Sequence, residues 1–239
     1  MHLPAGFRRV RRGVSQGFSL GLLCETPRLT LRNPAGKHAD FNSMELTSHR
    51  HFVLYKPYGY LSQFVSAFER EARKKRFLGE LFDFPPGTMA IGRLDEESEG
   101  LLLLTTDGRV SEIIRSRHVE KEYYVQADGL VTDEALAQLR AGVEISIQGV
   151  RYRTGPCQAR RLAEPPTLAP RPRPVRDDRH GPTTWISLTL TEGKFRQIRK
   201  MTAVVGFPTL RLVRVRIGPH TLDGLPPGGV REVPDPAAG

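Results

Sequence analysis

The chain predicts an α+β fold: a mixed, mostly antiparallel sheet with flanking helices. Strand-like segments come in pairs with only occasional helices between them, the order expected of α+β proteins. Three segments, 121–127, 185–191 and 210–217, alternate apolar and polar residues with the period of two that marks a half-buried strand. No internal repeat and no Gly-rich phosphate loop is present.

The elements follow in order. Residues 1–48 show no periodicity and are punctuated by Gly, Pro, Ser and Arg, so they read as a disordered basic extension; Arg8, Arg9, Arg11 and Arg12 also fit a transit peptide or a mis-assigned start. His51-Phe52-Val53-Leu54-Tyr55 reads as a strand ended by Lys56-Pro57, because proline lacks a donor and keeps its predecessor extended. Phe68 to Phe82 fits a helix with a highly charged outer face, weakened by Gly79. Met89-Ala90-Ile91 is strand-like, and Leu101–Leu104 is a buried segment closed by Asp107-Gly108.

Lys121 to Ala127 places Lys121, Tyr123, Val125 and Ala127 on one face. Thr132 caps a helix carrying Ala135, Leu136 and Leu139, which Gly142 stops. Residues 165–182 hold six prolines with Arg171, Arg173, Arg176 and Arg179, an exposed basic loop. Trp185 to Thr191 turns Ile186, Leu188 and Leu190 inward. Gly193 opens a helix with Phe195, Ile198, Met201, Thr202 and Val205 on its apolar side, ended by Gly206. In Leu210 to Ile217 the alternation changes frame near Leu212, which predicts a β-bulge there and a basic row of Arg211, Arg214 and Arg216 on the exposed face.

Composition narrows the function classes. The 239 residues admit one moderately large domain or two small ones. No apolar stretch approaches the roughly 18–20 residues that cross a bilayer as a helix. Two cysteines, Cys24 and Cys157, make no disulfide framework and no zinc-ligand spacing. The net charge is +10 and unevenly spread. Residues 1–50 hold eight basic against three acidic residues, and 151–200 hold twelve against four; 51–150 are neutral to acidic. Solubility alone accounts for a net charge of this size; an anionic polymer bound through its phosphates is the sharper reading.

The densest segment is Gly92-Arg93-Leu94-Asp95-Glu96-Glu97-Ser98-Glu99-Gly100, followed by Leu101–Leu104 and Thr105-Thr106-Asp107-Gly108. A tight loop between core segments holds a reactive group still, and Asp95 lies in one. From spacing alone Asp95 reads as a turn or helix-cap acid, Tyr123 as a core tyrosine and Arg199 as a solvated helix residue.

Resemblance changes that balance. Gly92–Gly108 resembles the G-R-L-D-x-x-[ST]-x-G-L-L-x-L-T-x-D-G signature of the ribosomal, S4-associated branch of pseudouridine synthases. Lys121-Glu122-Tyr123 is similar to that family's K-x-Y motif, and Glu192–Met201 to its E-G-x-x-R-Q-I-R-[RK]-M motif. Lys56-Pro57-Tyr58-Gly59 resembles its opening K-P-x-G turn, and Leu210–Leu225 its Arg-rich strand and L-x-x-L ending. The likeness runs in order over residues 51–233, with Val230 standing where the family usually has tryptophan. Segments such as Tyr60–Phe64, Pro182–Trp185 and Met201–Leu212 are most similar to a member that acts on large-subunit RNA and lacks the S4 module, and residues 1–48 do not read as such a module.

The resemblance implies an isomerase with a pseudouridine synthase catalytic fold and a central cleft, occupying residues 49–233 between the extension and a tail at 234–239. It implies that a uridine of 23S ribosomal RNA is converted to pseudouridine in the cytoplasm, by a monomer with no membrane partner, no cofactor and no metal. Breaking the N1–C1′ bond and rejoining the uracil through C5 needs an ionised carboxylate at the sugar, either attacking the ribose or assisting C2′ deprotonation. Transferred by motif, Asp95 is that carboxylate. Arg199 would pair bidentately with it and keep it ionised, and Tyr123 would stack on the uracil and act as base at C5. Arg93, Lys121, Lys194, Arg196, Arg211, Arg214 and Arg216 are the expected RNA contacts, with Lys194 and Arg196 on phosphates. The target must be flipped out of any duplex. The alternatives are small-subunit rRNA or tRNA as substrate, and a non-catalytic RNA-binding ribosome-assembly protein.

Overall fold

The computed structural model describes residues 48–116, 119–175 and 180–237. The expected extension up to residue 47, with its arginines and Cys24, lies outside these residues, as do Arg176 and Arg179. The strands are β1 (His51–Lys56), β2 (Met89–Ile91), β3 (Glu99–Thr105), β4 (Lys121–Asp128), β5 (Glu144–Ile147), β6 (Val150–Arg153), β7 (Gln158–Arg161), β8 (Thr183–Leu190), β9 (Thr209–Ile217), β10 (His220–Thr221) and β11 (Val230–Val233). The helices are α1 (Glu69–Lys74), α2 (Gly108–Ser116), α3 (Asp133–Ala141) and α4 (Gln197–Val204), with a 3-10 turn at Leu78–Glu80.

Among the described residues nine strands form one sheet along the path β11-β1-β3-β9-β4-β8-β7, with β2 added to β3 and β10 to β9. All its pairings are antiparallel except β3 with β9, where only Glu99 with Val213 and Gly100 with Arg214 face each other. The expected mixed, mostly antiparallel sheet is therefore two antiparallel groups joined by one short parallel contact. On the edge of β3 opposite β1, β9 pairs at the strand's start and β2 at its end. The loop 92–98 runs between these two pairings.

The run Leu101–Leu104 is apolar throughout because β3 is covered on both faces. Leu101 and Leu103 pack with Val53, Ile91, Val110 and Ile114, while Leu102 and Leu104 pack with Phe52, Leu54 and Leu78. Val230, the departure from the family pattern, joins the second group. A third cluster fills the other half of the sheet, where Tyr123, Val125, Ile186, Leu188 and Leu212 meet α3 and α4.

Several elements depart from expectation. The helix over Phe68–Phe82 shrinks to six residues of α1, which buries nothing and so lacks the packing that sustains short helices. Lys75 turns extended, Arg76 accepts from Leu61 N at 2.9 Å, and Leu78 N donates to Gln63 O, so pairing with residues 60–63 displaces the helix. Helix α2 arises where only a closing turn was expected, its Arg109 N donating to Asp107 Oδ1 at 2.8 Å. The hairpin β5–β6 turns through Gln148 and Gly149, both at positive φ, the geometry of a type I′ turn. The bulges on β9 fall at Val215 and Leu210, which the register against β4 skips, and not at Leu212. The expected exposed loop 165–182 is not wholly free of the body: Ala169 O accepts from buried Arg211 at 2.9 Å, and Arg171 lies 3.8 Å from the Tyr58 ring centroid.

Lys56 closes β1 fully buried, its Nζ donating to the carbonyls of Tyr60 (2.6 Å), Pro57 (3.0 Å) and Glu96 (3.4 Å). One ammonium thus ties the turn after β1 to the loop 92–98. Burial pushes its pKa down to about 7, against the pull of Glu99, Glu96 and Asp95.

Two outcomes follow. A Cβ at Gly100 (φ +109) would lie 2.6 Å from Arg214 N and closer still to its carbonyl. Gly100→Ala should therefore cost about 3 kcal/mol or more, from overpacking plus a positive φ, read as a lowered urea midpoint; a wild-type midpoint contradicts this. For Lys56, the folded chain releases a proton that the unfolded chain keeps between about pH 7 and the ordinary lysine pKa of about 10.5. Stability then rises with pH across that window and is flat below it. Urea melts of wild type against Lys56→Met, from pH 6 to 10, should show the difference moving toward wild type above pH 7; a constant difference rules the linkage out.

Candidate active site

A cleft of about 760 Å³ opens where the two halves of the sheet meet. Its walls include Asp95 from the loop before β3, Lys121 and Tyr123 from β4, Lys194 to Arg196 ahead of α4, and Arg214 from β9. Residues more than a hundred positions apart converge because β9 lies next to β3 in the sheet and β4 next to β9.

The Asp95 loop is held from several sides. Ser62 Oγ accepts from Leu94 N at 2.9 Å and donates to Leu94 O at 2.7 Å. Gly59 N donates to Glu96 O, Lys75 Nζ pairs with Glu96 Oε2 at 2.6 Å, and Ser98 N donates back to Asp95 O. Asp95 itself remains one-quarter exposed on the cleft wall. A braced loop carrying a part-exposed carboxylate has the geometry for reaction at a bound sugar.

Two arginines face that carboxylate. Arg196 Nη1 lies 3.6 Å from Asp95 Oδ2, and Arg199 Nε lies 4.0 Å from the same oxygen. The expected bidentate Arg199–Asp95 pair is not the arrangement found. Arg199 instead forks behind the loop, its Nη2 donating to Glu97 O (3.2 Å) and Ser98 Oγ (3.3 Å), while its buried Nε makes no hydrogen bond. Burial and Arg196 push Arg199 below its usual pKa, against Glu97 and Asp95. Arg196, expected only on phosphates, is the nearer cation and also meets Glu97 Oε2 at 3.2 Å.

The expected row of exposed arginines on β9 divides instead. Residues directly opposite in an antiparallel pair share a face. Arg214 opposes Tyr123, whereas the bulge at Val215 sets Arg216 opposite Glu122 on the reverse face, with Arg211 opposite Gln126. Arg214 therefore lines the cleft, 4% exposed, donating to Leu101 O at 2.7 Å with its guanidinium carbon 5.9 Å from the Tyr123 ring centroid. Arg211 is buried and bidentate on Glu99 (3.0 and 2.8 Å), and Arg216 pairs with Glu120 and Glu122. Neither Arg211 nor Arg216 is on the cleft wall. The signal that could have separated them is the pair of acids at Glu120 and Glu122, one strand away.

Among the other expected contacts, Arg93 and Lys194 are exposed on the wall, and Lys121 donates to Val119 O and Thr191 O with its pKa lowered by burial and by Arg214. Arg115 on α2 and Phe195 also line the cleft and were not singled out for it. Arg115 escaped because α2 was not foreseen, and Phe195 because it fitted a core helix. Among the described residues no cluster of three or more His, Cys, Asp or Glu is placed to hold a metal, and no helix is long and apolar enough to cross a membrane.

Comparison with known proteins places this geometry. The family model described as RNA pseudouridylate synthase matches residues 50–204. The ribosomal large subunit pseudouridine synthase E of Xanthomonas axonopodis pv. citri is 48% identical over 177 residues, covering 73% of this chain and 89% of the relative. Its namesake in Vibrio vulnificus is 41% identical over 199 residues, covering 82% and 80%. A solved structure titled as a crystal structure of pseudouridylate synthase aligns with a TM-score of 0.61 at 28% identity, over 78% of this chain and 70% of the other. By these matches over most of its length, and by the motif residues gathered in its cleft, the chain belongs to the RNA pseudouridylate synthase family of isomerases that act on RNA.

Proposed function

We propose that the protein converts a uridine of large-subunit (23S) ribosomal RNA to pseudouridine, in the cytoplasm and as a monomer, with Asp95 as the catalytic carboxylate. The observation that carries the assignment is Asp95 itself, part-exposed on the wall of a cation-lined cleft and held by a braced loop. Extensive identity with relatives named for the large subunit supports the substrate. The catalytic unit is residues 49–233.

In this reading the flipped nucleotide enters the cleft with its ribose at Asp95 and its uracil against Tyr123. The glycosidic N1–C1′ bond breaks with its electron pair left on the uracil, the uracil turns, a C5–C1′ bond forms, the C5 proton leaves to a base, and N1 takes up a proton, so that the product is an isomer of the substrate. Arg196 and Arg199 orient and charge-balance Asp95. Tyr123, on the cleft wall, presents its ring to the uracil and takes the C5 proton as base. Lys194, Arg93, Lys121 and Arg115 answer the phosphates, which positions the RNA without reading its sequence.

Incubation with large-subunit rRNA followed by carbodiimide mapping tests this. Wild type should add one pseudouridine, and Asp95→Asn should lose about three or more orders of magnitude in rate, as removal of a reacting group does. Product that appears undiminished with Asp95→Asn overturns the catalytic assignment, and product confined to small-subunit rRNA or tRNA overturns the substrate. For the orienting pair, Arg199→Ala should lower kcat about a hundredfold, the scale of a 1 Å misplacement, with KM little changed; loss confined to KM would make Arg199 a binding residue instead.

A further inference from the structure

Phe195 is out of place by the ordinary rules of packing. The sequence assigns it to the apolar side of a helix, yet it precedes α4, is 60% exposed, and lines the same cleft as Asp95. Exposed apolar residues scattered singly need no explanation. This one is held by its surroundings, on the wall of the reaction cleft.

Arg196, the next residue, occupies the left-handed region at φ 52 and is a non-glycine there, a conformation that costs about 1–3 kcal/mol and clusters at functional sites. Its guanidinium lies 3.6 Å from Asp95, and the neighbouring ring lines the same cleft. Lys200 Nζ lies 5.3 Å from the ring centroid and is itself fixed by a 2.6 Å bond to Ser146 O on β5. Lys194, on the other side in sequence, lies on the same wall with its Nζ 5.1 Å from the Tyr152 ring. Glu192 fastens the segment by accepting from Gly155 N and from Gln197 Nε2. An exposed aromatic ring on a fastened segment, with cations along the same wall, is how proteins hold single-stranded nucleic acid: the ring stacks a base and the cations meet the backbone.

We infer that Phe195 is a stacking platform for an unpaired RNA base flanking the modified uridine, a subsite distinct from the one that takes the uracil itself. The inference rests on the proposed RNA substrate and adds to it a second base contact. Splaying a neighbouring base onto Phe195 offsets part of the cost of flipping the target out of its stack.

The test uses the full chain and a large-subunit rRNA hairpin spanning the mapped uridine, intact or with a single abasic residue at each flanking position. Base stacking on an aromatic is worth about 1–3 kcal/mol, so Phe195→Ala should raise KM about five- to hundredfold while kcat falls at most about threefold. Phe195→Tyr and Phe195→Trp should stay near wild type, and Phe195→Leu should fall with Phe195→Ala because an aliphatic chain fills space without offering a π face. On one of the abasic hairpins, wild type and Phe195→Ala should become equal. The proposal is overturned if Phe195→Leu matches wild type, or if the Phe195→Ala defect is the same on every abasic hairpin; either makes the ring part of the protein's own packing. Equal thermal midpoints for wild type and Phe195→Ala support the subsite, and a midpoint lowered by more than about 5 °C argues for packing. Failure of wild type to modify any rRNA would instead overturn the proposed function, which separates the two claims.

Discussion

The site depends on one narrow junction. Two antiparallel groups of strands meet through the parallel contact of β3 with β9, two residue pairs long, and the cleft lies across that seam. Asp95 comes from the β3 side, while Tyr123, Arg196, Arg199 and Arg214 come from the other. Any slip at the seam separates the carboxylate from all of its partners at once. The seam is tight because Gly100 admits the Arg214 backbone where a side chain would collide. It is bonded across by Arg211 on Glu99, Arg214 on Leu101 O, and Arg199 on Glu97 O and Ser98 Oγ. Arg211 with Glu99 is nearly fully buried and bidentate, so removing either partner would strand a charge in the interior.

Charge in this protein therefore has two uses that composition cannot tell apart. Part of the positive excess is consumed internally: Lys56, Arg211 and Arg214 are buried and bonded to carbonyls or carboxylates at the seam, and Arg216 is neutralised by Glu120 and Glu122 on the reverse face. Other cations, Arg93, Arg115, Lys121, Lys194 and Arg196, stand on the cleft wall. The acidic middle of the sequence supplies both the carboxylate for the cleft and the counter-charges for the buried arginines.

These elements were legible because alternation and turn residues are local signals: β1, β4, β8, α3 with its Thr132 cap, and the buried β3 all stand where the pattern put them. What the pattern could not carry is information held by a distant segment. Residues 60–63 compete with the end of α1 for Arg76 and Leu78, and α2 is stabilised by Val110 and Ile114 meeting Leu101 and Leu103, not by its own Gly-led sequence. Of the site, Asp95, Tyr123, Lys121 and Lys194 were legible from motif, and the cleft holds them together. The sides of Arg211, Arg214 and Arg216 were not, because side-chain direction along a strand inverts at each bulge, and a frame shift read near Leu212 could not locate skips at Leu210 and Val215.

The start of α4 shows how such a local departure makes a site. A helix opening at Gly193 would wind Phe195 and Arg196 into its first turn, with the ring among the apolar residues of its inner face. The left-handed backbone of Arg196 forbids that, so the helix begins at Gln197, and Ile198 and Met201 face the apolar core without the ring. The strain is offset by what surrounds it: Gln197 Oε1 accepts from Lys194 N, Gln197 Nε2 donates to Glu192, and Arg196 meets Asp95 and Glu97. One unfavourable φ thus moves an arginine onto the carboxylate and an aromatic ring onto the cleft wall. The residue the sequence would spend on the core is left exposed in the cleft.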